Sequence, residues 1–262
     1  MGVRPDGVLT CSVEESVATL TINHPPANTL TVHMLDELEA AFDGLAKDDT
    51  VKAVILTGAG RFFIAGADVR ALAEIASAPE GERMALRGQA IADNIEAFEK
   101  PVIAAINGAC LGGGLELAMA CHIRLAAEGA RLGQLEINLG LMPGMGGTQR
   151  PPRLIGRSRA TELMLTGDVI SAQEAKALGL VSQVIPPDDL FRQARGLARK
   201  IASKGRAAVK AVLQAIRERT ELNVRQALAL EARLFGRLCE TEDRKEGLAA
   251  FLEKRQPRFT DR

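Results

Sequence analysis

Two glutamates, Glu116 and Glu136, lie 136 − 116 = 20 positions apart in the most glycine-dense part of the chain. From Asn107 to Arg150 the sequence reads NGACLGGGLELAMACHIRLAAEGARLGQLEINLGLMPGMGGTQR, with 10 of the 25 glycines in 44 of 262 positions. Glycine has no side chain, so it lets backbone N–H groups approach a ligand closely and turn at positive φ. The triple glycine Gly112-Gly113-Gly114 leads into an apolar run, Leu115 to Ala120, that reads as a helix. The start of a helix leaves N–H donors free for a developing anion. Glycines bracketing two carboxyls therefore point to a site built from backbone donors and carboxylic acids. Taken singly, a glutamate in an apolar helix is more often a surface or ion-paired residue, and glycine turns are common.

Composition limits what such a site can serve. At 47% hydrophobic the chain can bury a large core, in one domain with an appendage or in two small ones. The 33 basic residues balance the 33 acidic ones, so no overall positive field gathers nucleic acid or an anionic membrane, and any anion site is local. The opening MGVRPDGVLT lacks an apolar targeting core, and no run approaches the ~18 apolar residues of a membrane span, which leads us to expect a cytoplasmic chain. Cys11, Cys110, Cys121 and Cys239 show no C-x-x-C spacing and read as reduced core residues. Cys110, Cys121 and His122 lack an evident fourth ligand, so no metal is expected. The absence of every Tyr and Trp removes the usual stacking platforms for bases or flavins.

The elements that must carry the site alternate. Val8 to Val13 and Ser16 to Ile22 read as a β-hairpin. Leu35, Leu38, Phe42 and Leu45 mark an amphipathic helix up to Lys47. Ala53 to Thr57 is a strand buried on both faces, followed by a glycine loop, Gly58 to Asp68. A helix from about Glu80 to Glu99 leads to the next strand, Val102 to Ile106, and the next glycine loop, so the chain repeats strand, glycine loop, helix. A third loop, Met142 to Gln149, precedes Pro151-Pro152, which suit a helix start. Ser171 to Glu174 forms a capping box, and Val181 to Ile185 a strand. Pro186-Pro187 mark the expected boundary between a core, 1–187, and a helical region, 188–262, of three or four helices. The fold class is α/β.

GAGRFFIAGADVRAL, KPVIAAINGACLGGGLELAMAC, LGQLEINLGLMPGMGGTQR and LTGDVISAQEAKALGLVSQVI, in that order, resemble the crotonase superfamily, and most closely its enoyl-CoA hydratases. The resemblance covers nearly the whole chain. It implies a crotonase-like superhelix of β-β-α repeats and a helical C-terminal trimerisation region that builds trimers or hexamers. A dinucleotide fingerprint fails in Gly58-Ala59-Gly60 and in Gly144-Met145-Gly146, because Phe63 and Gln149 stand where the third glycine is needed.

By motif match the resemblance implies an oxyanion hole made by the backbone N–H groups of Ala67 and Gly113, and assigns Glu116 and Glu136 as the catalytic pair. Adding water across a conjugated double bond needs one group to take a proton from water and one to deliver a proton to the α-carbon. Two adjacent carboxyls also share protonation, because two close anions repel and one pKa rises. The same match places the coenzyme A moiety of an acyl-CoA substrate along Arg61, Ala65, Ala67, Asp68, Val69, Arg70 and Gly113, with the two arginines as phosphate partners. No separate cofactor is implied. Ile64, Ala71, Met142 and Met145 are candidate pocket residues. Leu135, His122 and Pro151 depart from the common pattern, which bears on geometry near Glu136. Other crotonase reactions, such as double-bond isomerisation or hydration of a special acyl group, are the enzymatic alternatives. Some crotonase relatives bind RNA, which the neutral charge and absence of a Lys/Arg-rich run disfavour.

Overall fold

The computed structural model describes residues 7–262. The chain opens with the hairpin β1 (Leu9–Glu14) and β2 (Val17–Ile22), followed by α1 (Val32–Lys47), whose N-cap Thr31 accepts from the N–H of Met34. Three units of similar build come next. The first is β3 (Ala53–Gly58), β4 (Phe62–Ile64), α2 (Val69–Ala73) and α3 (Ala78–Glu96). The second is β5 (Val102–Ile106), β6 (Ala109–Leu111) and α4 (Gly113–Ala120). The third is β7 (Ile123–Ala127), β8 (Arg131–Gly133), a 3-10 turn at Glu136–Leu139 and α5 (Arg150–Ile155). Then follow α6 (Arg157–Thr166), β9 (Val169–Ser171), α7 (Ala172–Ala177) and β10 (Gln183–Ile185). Helices α8 (Leu190–Ala202), α9 (Arg206–Glu218), α10 (Val224–Leu238) and α11 (Glu242–Leu252) complete the chain.

In each unit the first strand joins one sheet and the second joins another. The larger sheet runs β1-β2-β3-β5-β7-β10, parallel except for the hairpin, and the smaller runs β4-β6-β8-β9. This is the strand-strand-helix repeat that the resemblance implies. From sequence alone the first strands β3 and β5 are legible and the second strand of each pair is not. Phe62–Ile64, Ala109–Leu111 and Arg131–Gly133 are three residues long and embedded in glycine loops, too short for any periodicity to register.

Alternation along the parallel strands separates two cores. Val54, Leu56, Val102, Ala104 and Ile106 face the main core with α1, α3 and α4. Ile55, Ile103, Ala105 and Leu125 face the other way, onto Leu190, Ala194, Ala198 and Ala202 of α8, a stripe of period four. The proline pair Pro186-Pro187 falls just ahead of α8, and by packing α8 groups with the larger sheet. A small third cluster, Ala211, Leu230 and Leu234, joins α9 to α10. His122 precedes β7, and its ring Nδ1 accepts from the N–H of Val102 at 2.9 Å. Burial pushes its pKa down to about 4, so it is neutral and structural.

Candidate active site

Helix α4 places the first glutamate. All eight of its residues are buried, so GGLELAMA needs no polar face, and Glu116 is enclosed at 2% exposure. Its Oε1 accepts from the N–H of Met145 at 2.7 Å and of Gly147 at 2.6 Å, which anchors one oxygen and leaves Oε2 directed toward Gly113. Burial pushes the Glu116 carboxyl up to about 7, and the nearby Glu136 adds to the rise. The two N–H groups and the charge of Arg150 oppose it.

Glu136 comes from the 3-10 turn after β8. Its carboxyl is also raised by burial, with its own backbone N–H acting against the shift. Gln134, buried beside it, donates to both Glu136 oxygens, at 3.2 and 3.1 Å, when its amide is oriented with the NH2 toward them. Gly112 lies between the helix start and this carboxyl. Its φ of 51° is unfavourable for side-chain-bearing residues, and a Cβ there would sit 3.0 Å from Glu136 Oε1.

The backbone donors arise from the same turns. Gly113 is the first residue of α4, so its N–H has no intrahelical acceptor, and the positive end of the helix dipole lies there. At the other loop, Leu30 bonds the O of Gly66 and the N–H of Asp68 at 2.8 and 3.0 Å, bracketing Ala67 and leaving its N–H without a partner among the described residues. Asn28, buried, holds this loop by donating to the carbonyls of Ala59 and Phe62, and Asn107 accepts from the N–H of Gly58 at 3.1 Å. The loops touch: Gly66 Cα lies 3.7 Å from the Cβ position of Gly112.

A cavity of about 970 Å³ opens over these groups, lined by Ala67, Gly113, Glu116 and Glu136 and walled by apolar residues including Leu72 and Met142. A larger cavity of about 1040 Å³ lies between α9, α11 and the start of β7, and contains neither glutamate and neither free donor. The two carboxyls and the two free donors therefore meet in the smaller one.

The structure brings together Ala67, Gly113, Glu116 and Glu136. Asp68 caps α2, accepting from the N–H of Arg70 at 2.9 Å, and Ala65 is half-buried in the same loop. Arg61, Val69 and Arg70 are exposed and stand outside the cavity lining. The Arg61 guanidinium lies over the Phe62 ring at 5.3 Å, and neither arginine side chain has an ion-pair partner among the described residues. Of the candidate pocket residues, Met142 and Met145 line the cavity, whereas Ile64 is fully buried and Leu72 and Ile75 line it in place of Ala71. The face that a five-residue helix turns inward cannot be read from so short a pattern.

Sequence reasoning missed Gln134, Asn28 and Arg150. Arg150 is buried, pairs with Asp93 at 2.7 Å and Glu96 at 2.8 Å, and donates to the Met145 carbonyl at 3.0 Å. It locks the loop that supplies the two donors to Glu116. The signal available was an arginine beside two prolines and a pair of acids three apart on α3, and it acquires meaning only when α3 and α5 meet.

Two carboxyls raised by burial, facing unpartnered N–H donors across one cavity, suit an enzyme that moves protons while stabilising an oxyanion. The sequence profile described as Enoyl-CoA hydratase/isomerase matches residues 12–262. The chain belongs to that family and has the crotonase fold. It is 46% identical over 252 residues to the Probable enoyl-CoA hydratase of Bacillus subtilis (strain 168), covering 96% of this chain and 98% of the relative. It is 45% identical over 248 residues to the Crotonyl-CoA hydratase of Syntrophomonas wolfei, covering 94% and 95%. The crystal structure of Enoyl-CoA Hydratase from Bacillus anthracis superposes with a TM-score of 0.94 at 40% identity, over 97% of this chain and 100% of the other.

Proposed function

We propose that this protein adds water across the 2,3 double bond of a 2-enoyl-CoA to give the 3-hydroxyacyl-CoA, as the names of its relatives suggest. The observation that carries the reading is the pair itself: Glu116, with one oxygen held by two backbone N–H groups, and Glu136 beside the same cavity.

The free Oε2 of Glu116 orients water and takes its proton as the hydroxyl bonds to C3. The π electrons move toward the thioester, and the N–H groups of Ala67 and Gly113 hold the enolate oxygen. Each such donor contributes about 2.7–4 kcal/mol to the rate because it is already aimed where charge develops. Glu136, in its protonated form, delivers a proton to C2. Atoms balance: hydroxyl at C3, hydrogen at C2, and the proton gained by Glu116 replaces the one lost by Glu136. The addition is redox-neutral, and coenzyme A enters as part of the substrate. Arg61 and Arg70, exposed and without ion pairs among the described residues, are suited to its phosphates.

We assign the exposed apolar side chains of the last helices to assembly. Ile216 of α9, Phe235 of α10 and Phe251 of α11 are 67%, 70% and 81% exposed, and an apolar surface shared by neighbouring helices is what an interface covers. This supports a homotrimer or a dimer of trimers. No helix among the described residues is long and apolar enough to cross a membrane, and we take the cytoplasm as its location. A panel of 2-enoyl-CoA and 3-enoyl-CoA thioesters with product identification tests the reaction. Formation of 3-hydroxyacyl-CoA is expected, and migration of the double bond without water uptake would place an isomerase ahead.

A further inference from the structure

The main-chain N–H of Met145 serves Glu116, but no step of hydration calls on its side chain. That side chain is seated between two helices. A Cβ built on Gly88 of α3 would fall 2.4 Å from Met145 Cγ, 2.9 Å from Sδ and 3.0 Å from Cε, so the thioether occupies the space that any larger residue on α3 would fill. On its other side, Sδ lies 3.3 Å from the Cβ position of Gly113, the residue whose N–H the proposed reaction assigns to the thioester oxygen.

The backbone around Met145 is pinned. Gln89 Nε2 donates to the carbonyl of Gly144 at 2.9 Å, Arg150 holds the carbonyl of Met145 at 3.0 Å, and Glu116 holds its N–H at 2.7 Å. The side chain therefore cannot withdraw with its loop. Met145 lines the cavity between Gly113 and the α3 residues Met84, Ala85 and Gln89, so an acyl group whose carbonyl oxygen is held at Gly113 starts beside Sδ.

We propose that Met145, seated against Gly88, is the stop of the acyl pocket and restricts the protein to short 2-enoyl groups. This rests on the hydratase reading of the same site. A pocket that gains or loses the room of one methylene changes discrimination by about 10- to 200-fold, and removing the thioether frees more than that.

The test compares crotonyl-CoA with 2-decenoyl-CoA in the wild type, Met145→Ala, Gly88→Ala and the double variant. The wild type is expected to favour crotonyl-CoA in kcat/KM. Met145→Ala should raise the decenoyl-to-crotonyl ratio by about tenfold or more. Gly88→Ala, which drives the thioether into the cavity, should lower that ratio, and the double variant should return to that of Met145→Ala. A wild type that accepts both thioesters equally, or an unchanged ratio in a folded Met145→Ala, overturns the proposal. Calorimetric binding of butyryl-CoA and decanoyl-CoA reads the same pocket without turnover. If no enoyl thioester is hydrated but Met145→Ala shifts binding toward decanoyl-CoA, the hydratase reading fails and the acyl stop stands. If that binding ratio does not move, the stop fails as well.

Discussion

Helices α4 and α10 show two ways of using apolar residues. Each of the eight residues of α4 is buried, and its only ionisable group, Glu116, is enclosed with them. In α10, of 15 residues, only Leu230 and Leu234 are buried, while Leu228 and Phe235 face outward. A helix surrounded by its own chain is complete, and a carboxyl inside it is retained against a desolvation cost. A helix with apolar side chains on its open face is completed by another surface. The comparison thus separates a helix closed around one carboxyl from a helix whose open apolar face fits the proposed assembly.

The largest effect expected is on α4. Glu116→Gln keeps the shape and can still accept from Met145 and Gly147, yet removes the base, so hydration should fall by roughly 10²-fold or more, with binding of a saturated acyl-CoA preserved. Glu136→Gln should act alike, and the double variant should lose much less than the product of the two, since both groups act in one step. Steady-state kinetics on crotonyl-CoA checks this. Near-full activity in a folded Glu116→Gln protein would undo the mechanism.

Assembly should respond in the opposite way. Light scattering of the wild type is expected to give a multiple of three chains. Phe235→Asp with Phe251→Asp should shift it toward monomer, because each buried phenylalanine contributes about 1.5–3 kcal/mol of apolar burial. A wild type that is monomeric at micromolar concentration removes the contrast between the two helices. Glu116→Gln should leave the assembly unchanged.

The smallest effect is on stability against pH, and the two regions should differ in sign. Glu116 has its carboxyl raised from 4.5 to about 7, so the folded state binds its proton more tightly than the unfolded chain does. Stability from that proton is complete below about 4.5 and is lost as pH rises through 7, a difference of about 3 kcal/mol at most. Glu116→Gln should therefore gain over the wild type at pH 8 and not at pH 4. In the C-terminal tail, burial tends to raise Asp261, but hydrogen bonds from Lys52 and Arg206 hold it below its ordinary value. Its contribution is present at neutral pH and lost on acidification, so Asp261→Asn should cost stability at pH 7 and less as the pH falls. Urea unfolding at matched protein concentration measures both, and equal shifts at the two pH values would remove the contrast.

Much of this molecule was legible before folding. Apolar periodicity marks α1, short continuous apolar runs mark the parallel strands β3 and β5, and a capping box marks the start of α7, because each of those patterns is local. Motif order named Glu116, Glu136, Ala67 and Gly113, and the structure gathers them around one cavity. Other features needed the whole chain in place. The second sheet consists of strands of three residues, which gain meaning only from partners about 20 to 47 positions away. Arg150 and Gln134 hold the loop and the second carboxyl through contacts that no spacing encodes. The raised pKa of Glu116 is likewise tertiary, since desolvation depends on what surrounds a carboxyl in space and not on its neighbours in sequence. The amino-acid order alone determined which groups could do the chemistry. The fold decided their distances and charge states, because burial and electrostatic coupling exist only between residues that packing has brought together.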